Sequence, residues 1–360
     1  MNIADTAEAA ERRAWVDVDL AAIVANARRV AESAAARLVP MIKANGYGLG
    51  AVPIARALEA VDPWGFGVAT IGEAAELRAA RVERAILLFT PILPEQMDAA
   101  RALHVTPVIC DIAALRCWVE GAPERAFHLG IDTGMARAGI PYDDRPALAA
   151  ARELVSGRAA YAGICTHFHS AEQDPAATAR QWDRLQDTVA ALGPRPPLVH
   201  AANSAAALAG PRLSGDLVRP GIFLYGGRAG PHEPLAVARF QARVVATRTV
   251  RPGESVSYGA TWSAPHEATI ATVAAGYADG IPRALSGRGV VEIDGCRCPI
   301  RGRVTMDMTL VETSQPVDVG AVATIFGGLV SLDEQATAAG TISYELLTRL
   351  SDRVKRRYTG

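Results

Sequence analysis

RLVPMIKAN, residues 37–45, begins as an apolar, β-prone run and reaches a lysine, Lys43, just where the glycine-rich NGYGLG (45–50) announces a turn. We read it as a buried strand with Lys43 at its end. Before it, Asp19 is placed to cap a helix in which Leu20, Ile23, Val24, Ala27, Val30 and Ala31 recur at helical spacing. After it come short apolar runs of the same kind: WGFGVAT (64–70), AILLF (85–89), VTPVIC (105–110), AFHLGID (126–132), AYAGICTHF (160–168), PLVHAAN (197–203) and DLVRPGIFLY (216–225). Ala/Arg/Glu-rich helical segments such as IGEAAELRAARV separate them. Eight strands alternating with helices predict an α/β fold, a parallel (β/α)8 barrel over about residues 18–235, rather than an open doubly wound sheet. From residue 236 to 360, β-branched and alternating runs broken by Gly and Pro predict a mainly-β domain, whose core takes in the N-terminal AWVDVDL within residues 1–17.

Composition narrows the function. Half of the 360 residues are hydrophobic, about a fifth are charged, and the net charge is −1, which offers no electrostatic footprint for nucleic acid or an anionic membrane. Five cysteines without a C-x-x-C pair fit a reducing cytoplasm. The polar start MNIADTAEAAERR has no apolar core of a secretory signal, and no apolar run has the length of a membrane span.

In a barrel, the C-terminal ends of the strands share one mouth, where active sites form. This reading delivers Lys43, Arg137, His167, Asn203, Ser204 and Arg219 there. A lone lysine is ordinarily a solvated surface charge, but one that ends an apolar strand is desolvated, which lowers its pKa and exposes a nucleophilic amine. In RPGIFLYG, Gly221 and Ile222 follow a strand and can turn backbone N–H groups toward a phosphate, with the Ser204 hydroxyl on the adjacent loop. His167 and His169 in H-x-H, with His200 on the next strand, keep a metal-dependent barrel hydrolase open, although Asp132 is the one carboxylate at a comparable strand end.

MIKANGYGLG, IDTGMARAGI, THFHSAE, LVHAANSAAAL, VRPGIFLYG, VSYGATW, GYADG and PIRGRVTMDMT together make nearly the whole chain resemble the alanine racemase family, pyridoxal-phosphate enzymes with a barrel and a C-terminal β-domain. The resemblance implies that Lys43 carries the cofactor as a Schiff base and that Tyr47, Ser204, Gly221 and Ile222 hold its phosphate, Asn203 lying beside them. It places Arg219 at the pyridine nitrogen, and Arg137 at the phenolate and the substrate carboxylate. His167 then links Arg219 to a second base, Tyr277, while the Met306 N–H binds the substrate carboxylate and Asp307 stands behind it. In this family those last groups come from the partner subunit of a homodimer, and the D-alanine made supplies peptidoglycan. Two bases suit racemisation, which removes the Cα proton from one face and returns one to the other.

Two positions depart from the family pattern. Gly130 stands where many relatives carry a lysine that, carbamylated, props the arginine. Asp352 stands where relatives can carry a tyrosine near phosphate and substrate; either it leaves room for a β-hydroxyl, giving a broader or serine-directed racemase, or it pairs with Arg353, Arg356 or another surface arginine and never reaches the pocket. Outside racemisation, the alternatives are the metal hydrolase and a non-catalytic pyridoxal-phosphate carrier, which would lack the second domain.

Overall fold

The structure, a computed structural model, describes residues 13–360. Residues 1–12, most of the polar start MNIADTAEAAERR and of the segment 1–17 read above, lie outside the described residues. Nineteen strands run in chain order. The first is β1 (Ala14–Asp19), followed by β2 (Arg37–Leu38), β3 (Gly65–Val68), β4 (Ala85–Leu88), β5 (Val105–Ile109) and β6 (Phe127–Asp132). Next come β7 (Ile140–Pro141), β8 (Tyr161–Cys165), β9 (Leu198–His200), β10 (Leu217–Val218) and the long β11 (Ala238–Val250). The remainder are β12 (Ser255–Val256), β13 (Trp262–Ser263), β14 (Ala268–Val273), β15 (Val290–Ile293), β16 (Cys296–Pro299), β17 (Thr309–Thr313), β18 (Val322–Phe326) and β19 (Lys355–Thr359).

Eight parallel strands form the barrel in the order β2-β10-β9-β8-β6-β5-β4-β3. The ring is closed by main-chain bonds between the continuation of β2 and β3: Trp64 N–H to Leu38 O at 2.8 Å, Gly67 N–H to Pro40 O at 2.9 Å and Ile42 N–H to Gly67 O at 2.9 Å. Helices cover the outside. The first, Leu20–Ala34, begins with the Asp19 carboxylate accepting the Ala22 N–H, and buries Ile23, Ala27 and Val30, one stripe of the predicted pattern.

The second half is a mainly-β sheet ordered β16-β15-β18-β11-β1-β19. β11 bends at a bulge between Val244 and Ala246, pairing β1 and β18 along its first half and β14 along its second. β1 lies antiparallel to β11 and parallel to β19, so both ends of the described chain belong to this sheet. Among the described residues, no helix is long and apolar enough to cross a membrane.

Several strands are shorter than their apolar runs. The run at 160–168 stops pairing at Cys165, so His167 and His169 lie beyond the strand and do not share a strand face. In 216–225 the strand ends at Val218, ahead of Pro220, and Ile222–Tyr225 forms a 3₁₀ turn. Regular pairing of 37–45 covers only Arg37–Leu38, and Lys43 opens a separate turn. A short helix, Leu332–Ala338, also interrupts the β-domain where no helix was predicted.

Candidate active site

Lys43 stands at the mouth of the barrel at the start of an unusual turn. Ala44, Asn45 and Gly46 have φ/ψ near +52°/+50°, +51°/+53° and +58°/+49°, and Tyr47 has φ of +54°, which together make a left-handed helical turn. Non-glycine residues enter this region at roughly 1–2 kcal/mol each, with Asn the most tolerant. The turn is held by Gly46 N–H to Ile42 O and Gly48 N–H to Ala44 O, at 2.9 and 2.7 Å. The Asn45 carboxamide accepts the Ala51 N–H at 2.9 Å.

This geometry sends both Lys43 and Tyr47 into one cavity of about 590 Å³, which Arg137, His167, Asn203, Ser204, Arg219 and Gly221 also line. Tyr47 is buried and stacks on Tyr225, with ring centroids 4.3 Å apart. Its hydroxyl lies 2.3 Å from where a Cβ on Gly221 would stand, so only glycine fits at 221. The Gly221 N–H donates to Ser204 Oγ at 2.9 Å, which joins the starts of two short helical segments into one corner of the cavity. Ile222, next in the chain, is fully buried, and Asn203 caps the helix Ser204–Leu208 through the Ala206 N–H.

The cavity is cationic. Arg219 is buried, and its partners are neutral: it donates to Thr166 O (2.8 Å), Ala201 O (2.9 Å), His200 Nδ1 (2.8 Å) and, more weakly, His167 Nδ1 (3.4 Å). Guanidinium can only donate, so both imidazoles accept at Nδ1 and carry their proton on Nε2. The His200 Nε2–H in turn meets His128 Nδ1 at 2.8 Å. Burial, reinforced by Arg219, lowers His167 and His128 to about 3 and holds His200 well below its ordinary value. Burial and then Arg137 also lower the Lys43 ammonium, against a smaller opposing effect of Glu73. Arg137 is carried by a loop that Asp132 organises, its carboxylate accepting the N–H groups of Gly134, Met135 and Ala136 at 2.8–3.1 Å.

Gly130 faces a filled space: a Cβ there would stand 2.9 Å from Cys110 Sγ and 3.1 Å from a Val108 methyl. The histidines do not assemble as ligands. His169 is exposed and pairs with Ser170, His200 is enclosed between Arg219 and His128, and among the described residues no three His, Cys, Asp or Glu side chains gather to hold a metal.

Of the two readings of Asp352, this chain matches the surface pairing rather than the one that favours serine: it is exposed beside Arg356 and is not part of this chain's cavity wall. The tyrosine at the cavity is Tyr344, in the helix Ser343–Thr348, 6.0 Å from the Tyr47 ring. Burial pushes its hydroxyl up to about 12.

Tyr277 and Met306 lie on the β-domain, exposed and outside this chain's cavity. Their loops are bonded together by Tyr277 N–H to Thr305 O and Ala278 N–H to Met306 O, at 2.9 and 3.0 Å. Beneath them the fully buried Asp279 carboxylate accepts from Arg13 (2.5 Å) and the Gly276 N–H (2.9 Å). Arg13 also bonds Ala274 O and Asp307 O, and Arg353 bonds the Asp307 carboxylate.

A parallel barrel joined to a β-domain, with a lysine, two arginines and the Gly221–Ser204 corner lining one cavity at the strand ends, defines a barrel of the class whose active sites lie at that mouth. Comparison with known proteins makes this specific. Residues 18–229 match the alanine racemase N-terminal domain and residues 237–358 the alanine racemase C-terminal domain. The chain is 39% identical to an alanine racemase of Salinispora arenicola, covering 97% of this chain and 99% of that one. It is 36% identical to that of Limosilactobacillus fermentum, with 97% and 98% covered. The crystal structure of Bartonella henselae alanine racemase with covalently bound pyridoxal phosphate superposes with a TM-score of 0.91 at 30% identity, over 96% of this chain and 99% of that chain. The chain belongs to the alanine racemase family, and its reaction class is that of an isomerase.

Proposed function

We propose that this enzyme interconverts L- and D-alanine in the cytoplasm, as a homodimer with pyridoxal phosphate on Lys43, and so supplies D-alanine for peptidoglycan. The observation that carries this reading is the left-handed turn, which sends the Lys43 amine and the Tyr47 hydroxyl into one cationic cavity whose far corner is Gly221 and Ser204. The residues fit the cofactor. Position 221 admits no side chain, the Ser204 hydroxyl and the start of the 219–226 segment suit a phosphate, and Arg137 and Arg219 suit a second anionic oxygen and a ring nitrogen.

Bound there, pyridoxal phosphate supplies a carbonyl carbon that amines attack and a conjugated ring that takes up electron density as the Cα–H bond breaks. The protein does the rest. Lys43 Nζ, its pKa lowered by burial, holds or takes the proton on one face of the substrate Cα. The partner's Tyr277 serves the other face. His167 accepts from Arg219 at Nδ1, which leaves its Nε2–H free to donate to that phenolic oxygen and to favour the phenolate. Arg137 orients the substrate carboxylate together with the N–H of the partner's Met306. Arg219 cannot readily surrender a proton, so a ring nitrogen against it stays unprotonated, which tempers electron withdrawal and disfavours transamination.

The test uses the fact that the chain holds two lysines, Lys43 and Lys355. Borohydride reduction of the purified enzyme is expected to fix the cofactor on the peptide containing Lys43, and Lys43→Ala to abolish both the visible absorbance and racemisation. Attachment at Lys355, or an active Lys43→Ala, would overturn the assignment.

A further inference from the structure

A left-handed turn of L-residues is not held by its own hydrogen bonds alone, and the side chain that bonds its first peptide is Glu73, which the reaction as described does not use. Glu73 begins the helix Ile71–Ala79, where it completes a capping box with Thr70. Its carboxylate reaches further than that box requires. Oε1 accepts the N–H of Ala44, the first left-handed residue, at 2.7 Å. Oε2 accepts the N–H groups of Ala69 and Thr70 at 2.7 and 3.1 Å. One carboxylate thus ties the end of β3 to the residue that follows Lys43, and its charge lies near enough to oppose Arg137 at the lysine amine.

We propose that Glu73 is a positioning residue for Lys43: by accepting the Ala44 N–H it holds residues 44–47 left-handed and so aims the lysine and Tyr47 together. The proposal rests on Lys43 being the cofactor lysine. Strain of this kind persists only where the surroundings over-determine it, and it concentrates where a side chain must be aimed. Without Glu73, Ala44 loses the one side-chain bond to its N–H that favours φ of +52° over a right-handed conformation. A right-handed relaxation there would swing the backbone that carries both side chains. Glutamine cannot replace it, because three N–H groups meet the two ends of the carboxylate, and the amide end of glutamine would set donor against donor.

The experiment compares full-length E73Q, A44G and the double variant, each as holoenzyme. E73Q is expected to lower kcat about a hundredfold, the scale set by an ångström of misplacement. A44G alone should raise Tm, because glycine adopts positive φ without the Cβ penalty. In the double variant glycine should recover at least tenfold of the loss, which a role confined to capping the helix would not allow.

A second readout needs no turnover. With two lysines, 13C-methylation of the cofactor-free full-length chain yields resolvable Lys43 and Lys355 signals, and Lys43 should titrate at lower pH in E73Q than in wild type. Wild-type kcat in E73Q, or a loss that A44G leaves untouched, would overturn the proposal. If E73Q does not fold, the double variant decides, and its failure to fold as well overturns the proposal. Cofactor found on Lys355 would instead remove the functional reading, while the Tm and titration results would still report on the turn.

Discussion

At single residues, the site is defined as much by missing side chains as by present ones. Gly221 leaves the space that the Tyr47 hydroxyl occupies, so Gly221→Ala should weaken cofactor binding at least tenfold, and Tyr47→Phe in the same chain should recover stability but not affinity. Equilibrium titration with pyridoxal phosphate, alongside thermal melts, separates the two effects. An alanine tolerated at 221 without loss would show that the corner is not a tight cradle. Gly130→Lys, which restores the residue common in relatives, should destabilise because its Cβ meets Cys110 Sγ, and Cys110→Ala should relieve that clash.

The buried imidazoles give a pH signature. An exposed histidine titrates near 6.5, whereas His128 and His167 are held at about 3. Between those values the unfolded chain binds protons that the folded chain refuses. Stability is therefore complete above pH 6.5 and falls toward pH 3, by about 1.4 kcal/mol per pH unit for each such histidine. Urea unfolding of His128→Leu at pH 7.5 and 5.5 should show a flatter dependence than wild type, and an equal slope would mean that His128 carries a proton when folded.

At the scale of elements, the ion network beneath the two β-domain loops invites its own test. Asp279 has no exposure and faces Arg13, so Asp279→Asn leaves a partly buried charge uncompensated and should cost about 3 kcal/mol, the low end for a broken buried pair. Because the same carboxylate braces the loops of Tyr277 and Met306, kcat should drop while the cofactor absorbance is retained. A variant that is unstable yet fully active would separate the network from the site.

How much was legible in the sequence is clearest at this scale. The barrel followed from the count of apolar runs, because burial on both faces of a parallel strand writes itself as a continuous hydrophobic stretch. Strand ends did not follow. Pairing stops where Pro220 or the left-handed turn begins, and apolar side chains continue past it into turns that are equally buried. Glu73 carried a signal, the T-x-x-E of TIGE, but a capping box says nothing about which second segment the carboxylate will reach. Tyr344 was missed because its place depends on where the helix 343–348 docks rather than on spacing from the chain end. His128 was missed because a histidine inside FHLGI reads as ordinary core until its partner His200 is seen across the barrel.

At the scale of the whole molecule, Lys43 lies on the barrel and Tyr277 on the β-domain, outside this chain's cavity. If the proposed homodimer exchanges these groups, it holds two composite sites. Mixing inactive Lys43→Ala with inactive Tyr277→Phe subunits should then leave one of the two sites in every heterodimer with both native residues. Racemisation that reappears after verified subunit exchange, up to half of the sites in the heterodimer, is the expected result. Continued inactivity of a verified heterodimer would place both bases within one subunit.

The last strand has a consequence for how the enzyme is made. β19 pairs with β1, and from it Arg356 donates to Gly48 O at 2.9 Å and Tyr358 to Leu49 O at 3.0 Å, both in the segment that follows Lys43. These bonds cannot form until residues 355–359 have been synthesised, some three hundred residues after Lys43. Barrel residues that emerge early must therefore wait, with Gly48 and Leu49 lacking these two ties, for β19 to leave the exit tunnel. Cofactor capture by the growing chain should begin only once β19 has emerged, and a chain arrested before Lys355 should bind pyridoxal phosphate poorly even with every cavity-lining residue already synthesised.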